Sequence, residues 1–161
     1  MVEGTHDVGT RPARKADRDP WLGFGNVSRK PQVWIVEDEP AAATLAADLC
    51  QVNGAAPSLF RLPLPFLSAL RMAAPPNAVI LDWRLEHELS AALFLATRHR
   101  YPRMPVIYWT GSVASSLPSM ISDDRLTRIV DKASGAAAFE EALAWALTSP
   151  PSAEPGDSAA G

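Results

Sequence analysis

The sequence predicts a doubly wound parallel α/β sheet built from five βα units, with strand order 2-1-3-4-5. Three observations predict it. Short runs that are apolar without alternation, such as Val33-Trp34-Ile35-Val36 and Ala78-Val79-Ile80-Leu81, read as strands covered on both faces. Helix-length segments separate them. Polar residues of useful chemistry stand directly after the runs: Glu37-Asp38, Asp82, Thr110 and Lys132. Ligand sites of open α/β sheets lie outside the carboxyl ends of the strands, where the strand order reverses.

Taken in order, the first strand is near 32–37. A helix follows from Pro40, a favoured first helical position, to about Asn53, with Gly54 as its stop. The second strand, Pro57 to Arg61, is weak and belongs near an edge. A helix over about 64–73 is closed by Pro75-Pro76. The third strand is 78–82. A helix over about 90–100 has Ser90 in the N-cap position. The fourth strand is 105–110, and a poorly defined helix containing Pro118 lies between Ser115 and Ser122. The fifth strand is 127–131. The last helix, about 135–147, carries Phe139, Leu143, Ala146 and Leu147 on one stripe. No internal repeat is present.

At 161 residues there is room for one ordinary domain, and 47% apolar content fits a globular chain. Residues 1–30 carry six basic and four acidic side chains and no apolar period, so they read as a disordered N-terminal extension. One island, Trp21-Leu22-Gly23-Phe24-Gly25, interrupts it as a docking motif or a segment folding back, beside the plainer reading of a tail with no specific role. The Pro-, Ser- and Gly-rich residues 149–161 read as a disordered tail. The domain is therefore 31–148. Cys50 is the only cysteine, and the start of the chain lacks the apolar core of a secretion signal, so a cytoplasmic location is expected. No run is long enough to span a bilayer. A net charge of −3 gives no basic footprint, and no helix-turn-helix length follows residue 148, so direct DNA binding is not expected.

Glu37, Asp38 and Asp82 meet at the crevice between the first and third strands. Crowded carboxylates raise one another's pKa, and a hard divalent cation reverses that. Mg²⁺ suits an all-oxygen donor set. The carboxylates of Asp38 and Asp82 are the expected direct ligands, with Glu37 direct or through water and the backbone carbonyl of Arg84 as a further ligand. Asp82 is the expected nucleophile towards phosphorus, since carboxylates form acyl-phosphates. Lys132 supplies positive charge and Thr110 a hydroxyl for a phosphoryl oxygen. His87 stands alone at metal spacing and reads as a loop histidine, His6 and His99 as solvated, and Glu39 as a helix-start acid rather than a ligand. Trp34, Trp109 and Trp145 read as packing residues, and Trp83 as both packing residue and optical reporter.

Four segments, Val-Trp-Ile-Val-Glu-Asp-Glu-Pro (33–40), Val-Ile-Leu-Asp-Trp (79–83), Val-Ile-Tyr-Trp-Thr-Gly (106–111) and Ile-Val-Asp-Lys-Ala (129–133), come in order and at suitable spacing. On them the chain resembles the receiver domain of bacterial two-component response regulators, of stand-alone type and flavodoxin-like (βα)5 fold. The resemblance covers residues 31–148. It implies Mg²⁺-dependent phosphorylation of Asp82 by a sensor histidine kinase or histidine phosphotransfer protein, and slow self-dephosphorylation with no other enzymatic activity. It also implies a downstream protein target and a docking or homodimer face on the fourth helix, fifth strand and last helix, which Ala136, Ala137, Ala138 and Ala142 would keep slim. The chain departs from the family at Ile129, where relatives carry a switching aromatic, at Ala133, where a Pro is usual, and in the loop from Trp83 to Ser90. The loop and Ile129 favour the alternative of a degenerate receiver that binds partners without phosphorylation, and the intact acids, Thr110 and Lys132 oppose it. A haloacid-dehalogenase-type phosphatase is disfavoured because Pro40, not a second Asp, stands two residues after Asp38.

Overall fold

The computed structural model describes residues 28–85, 88–111 and 117–148. Residues 1–27 with the aromatic island, His87, and the tail 149–161 lie outside them. The order is β1 (Gln32–Val36), α1 (Pro40–Val52), β2 (Ala56–Phe60), α2 (Pro63–Met72), β3 (Ala78–Leu81), β4 (Arg84–Leu85), β5 (Glu88–Leu89), α3 (Ala91–Arg100), β6 (Val106–Thr110), α4 (Ser119–Ser122), β7 (Thr127–Asp131) and α5 (Ala136–Thr148). One sheet is parallel throughout in the order β2-β1-β3-β6-β7. With the two-residue ribbon β4-β5 set aside, that is the predicted 2-1-3-4-5.

The sheet is buried on both faces because its strands alternate between two apolar cores. Val36, Leu81 and Tyr108 face Phe66, Leu93 and Phe94 of α2 and α3. Ile35, Ile80 and Ile107 face Cys50 of α1 and Phe139 and Leu143 of α5. Helix α1 buries only Ala43, Ala46, Ala47 and Cys50, so it lies close to the sheet. Its start is fixed by Pro40 and by Glu39, whose carboxylate accepts the amides of Ala41 and Ala42. Its end is fixed by Gly54, at φ +80°, a conformation that costs glycine little. Pro57 is accommodated because β2 is an edge strand.

Three expectations need correction. The segment from Trp83 to Ser90, expected as a loop, holds an antiparallel ribbon of Arg84–Leu85 and Glu88–Leu89, closed at its base by the Ser90 amide on the Trp83 carbonyl at 3.1 Å. Ser90 does not cap α3 with its side chain. It is fully buried, and its hydroxyl donates to the Tyr108 hydroxyl at 3.4 Å instead. Helix α4 agrees with the poorly defined helix expected there: it is a single turn after Pro118, and residues 112–116 lie outside the described ones. Ala142 packs into the core against the sheet, so it cannot keep an outer face slim.

Candidate functional site

The carboxyl ends of β1, β3 and β6 and the residue after β7 place the site. In register, Val36 lies opposite Leu81, so Glu37 and Asp82 leave adjacent strands side by side. Thr110 is paired with Asp131, which puts Lys132 just beyond the same edge. Asp131 also caps the 3-10 turn Lys132–Ser134 by accepting the amide of Ala133 at 2.8 Å, and that fixes where Lys132 begins. No cis peptide occurs among the described residues, so the Lys132–Ala133 bond is trans.

One oxygen each from Glu37, Asp38 and Asp82 lie within 4.8 Å of one another. Lys132 Nζ donates to Glu37 Oε2 at 2.6 Å and to Asp82 Oδ2 at 3.0 Å, and sits 5.2 Å from the Trp109 ring centre. Glu37 Oε1 accepts the amide of Glu39 at 3.1 Å. The Arg84 amide points to Asp82 Oδ1 at 3.4 Å. Glu37 is 2% exposed, Asp82 8% and Thr110 1%, so charge placed here is poorly screened.

Three carboxylates stand together here, and Lys132 bonds two of them. The Glu37 carboxyl is raised above its usual value by burial, and by the negative charge of Asp82, despite the hydrogen bond from Lys132. For Lys132, burial pulls the pKa down, but the bonds to Glu37 and Asp82 outweigh it and the net direction is up. Lys132 is therefore held charged. The donor set is all carboxylate oxygen, and its spread is one that a hard cation with oxygen bonds of about 2.0–2.6 Å can bridge.

All the residues expected from the sequence at this edge are brought there: Glu37, Asp38 and Asp82 as a cluster, Lys132 bonded to two of them, and Thr110 on the next strand. Two contributors were not expected. Arg61 donates from Nη2 to the Asp38 carbonyl at 2.9 Å and braces the acidic loop. Its signal was available, since parallel neighbours bring the ends of β1 and β2 together. Trp109 is a packing residue, edge-on to Phe139 at 5.2 Å, and also the surface on which Lys132 rests.

No protein-family model matches the chain, and no curated protein does. Solved structures do. A response regulator receiver protein from Sinorhizobium medicae superposes with a TM-score of 0.63 at 17% identity, over 74% of this chain and 95% of that one. A response regulator receiver domain protein from Bacillus halodurans gives 0.62 at 16%, over 73% and 97%. One from Clostridium thermocellum gives 0.62 at 15%, over 73% and 94%. At such identities the likeness defines the fold: this chain has the fold of response regulator receiver domains. No helix among the described residues is long and apolar enough to cross a membrane.

Proposed function

We propose that the chain is a phospho-accepting receiver that takes a phosphoryl group on Asp82 from a phosphohistidine of a sensor histidine kinase or phosphotransfer protein. The observation that carries this reading is the double contact of Lys132 with Glu37 and Asp82 inside a cluster of three carboxylates. An Asp82 oxygen attacks phosphorus, the P–N bond to the donor imidazole breaks, and the imidazole leaves with that electron pair. Lys132 holds Asp82 in place and then offers its ammonium to the phosphoryl oxygens. Thr110, at the end of β6, donates its hydroxyl to one of them. A bound Mg²⁺ would neutralise charge on the transferred group. Asp38, Asp82 and Glu37 would hold it. The Arg84 carbonyl fits as a further ligand: Arg84 pairs with Leu89 between the ribbon's ladder bonds, so its amide and carbonyl both turn away from β5, and the amide already faces Asp82.

The phosphorylated domain signals by binding a protein target. The face of α4, β7 and α5 is the proposed docking and dimer surface. There Ile129 is partly buried against the core in place of an aromatic switch. That residue favours the competing reading, a receiver that binds its partner without phosphorylation. Tryptophan fluorescence separates the two. Trp83 adjoins Asp82 and Trp109 lies under Lys132. A saturable change with Mg²⁺, and a second with beryllofluoride that Asp82→Asn abolishes, is expected. Silence to both, with no labelling by a small phosphodonor, leaves the constitutive binding module.

A further inference from the structure

Away from the site, a groove of about 440 Å³ runs between α2 and α3, lined by Leu64, Leu67, Leu70 and Ala96, with Arg71 and Arg100 on it. Leu64, which lines it, is an apolar side chain 77% exposed. The groove's charged lining is basic, with no acid among the residues lining it. Such a surface fits an apolar segment.

The chain contains one. Residues 17–25 read Asp-Arg-Asp-Pro-Trp-Leu-Gly-Phe-Gly, an island without charge preceded by Asp17, Arg18 and Asp19. The tether is in the right place. The Gln32 carbonyl accepts the amide of Asn77 at 2.7 Å, and the Asn77 side chain accepts the Gln32 amide at 2.8 Å. The start of β1 is thereby fastened to the segment leaving α2, at the end of the sheet where α2 and α3 both finish. Phe24 stands seven residues before Pro31, which is enough chain for about 25 Å. We propose that the Trp21–Phe24 island docks within its own chain into the apolar α2–α3 groove. This occupant does not depend on the phosphorylation reading.

The test is fluorine NMR of the full chain carrying 5-fluorotryptophan, with the Trp21 signal assigned by Trp21→Phe. Leu64→Glu puts a charge into the groove at an exposed position and should move the Trp21 signal to its place in the urea-unfolded chain. Arg71→Glu should move it the same way. Leu45→Glu, at a 49% exposed site on α1, should leave it unchanged. A native Trp21 signal already at the unfolded position would overturn the proposal. So would an equal response to Leu45→Glu, or a docked signal lost on dilution, which would place the island on a second copy.

Discussion

Two part-buried ion clusters lie in this domain, and they are built on opposite plans. Around Arg98 the charge is closed. Its Nε and Nη2 reach Asp124 at 2.7 and 3.1 Å, Nη1 takes the Met104 carbonyl, and Nη2 takes the Leu126 carbonyl at 3.2 Å and the Thr127 hydroxyl at 3.3 Å. One cation meets one carboxylate, and the remaining N–H groups find neutral oxygens. The guanidinium also lies 5.2 Å from the Phe94 ring centre. Around Lys132 the cluster is open to the carboxyl edge of the sheet: one ammonium bonds both Glu37 and Asp82, and Asp38 offers an oxygen to the same point. A balanced, saturated cluster is a clamp, here between α3 and the turn before β7. An open one at the carboxyl edge of a parallel sheet is a place for a ligand. Burial alone does not separate the two, since Arg98 and Lys132 are 16% and 24% exposed.

The largest test of that contrast is Asp82→Asn. It should abolish phosphoryl labelling while the chain stays folded, whereas Arg98→Ala should leave labelling of the folded protein intact. Next comes stability. Arg98→Ala leaves Asp124 and several carbonyls without their partner and should cost about 3 kcal/mol in urea unfolding. Lys132→Ala should cost about 1–3 kcal/mol in metal-free buffer. Trp109→Phe keeps a weaker aromatic face under Lys132 and also leaves a cavity beside Phe139, because Trp109 is buried in the core; it should cost about 1–3 kcal/mol, read by the same denaturation. Mg²⁺ should recover part of the Lys132 loss and none of the Arg98 loss, which is the sharpest difference between an open cluster and a closed one.

A smaller effect is pH dependence. Because the folded Glu37 carboxyl is raised above 4.5, its proton favours the folded metal-free protein below 4.5. That contribution is lost as pH rises through the folded value. Cation binding needs the carboxylate, so stabilisation by Mg²⁺ should run the other way and fade as pH falls through the same range. Glu37→Gln should flatten this part of the dependence in thermal melts with and without Mg²⁺.

The open cluster was legible in the sequence and the closed one was not, for a physical reason. Glu37-Asp38, Asp82, Thr110 and Lys132 each end an apolar run, and a parallel sheet brings such ends to one edge. The period of the chain therefore places them without knowledge of any contact. Arg98 and Asp124 are joined only by tertiary packing between a helix and a turn 26 residues on, and Arg98 reads as an ordinary basic helix end. Ser90 misled for a related reason. Its position suits a cap, but burial beside Tyr108 gave its hydroxyl another partner. The ribbon of Arg84–Leu85 and Glu88–Leu89 is too short to leave a period-2 signal. Gly54 and Pro40 were legible because they act through their own backbone, independent of neighbours.

The central claim is that the open cluster accepts a phosphoryl group on Asp82. The most direct measurement is intact-mass and peptide-level mass spectrometry of the full chain after incubation with phosphoramidate and Mg²⁺. The prediction is one base-labile, hydroxylamine-sensitive phosphoryl adduct on Asp82, absent with EDTA and absent in Asp82→Asn. An unmodified native chain, or an adduct that persists in Asp82→Asn, would contradict it.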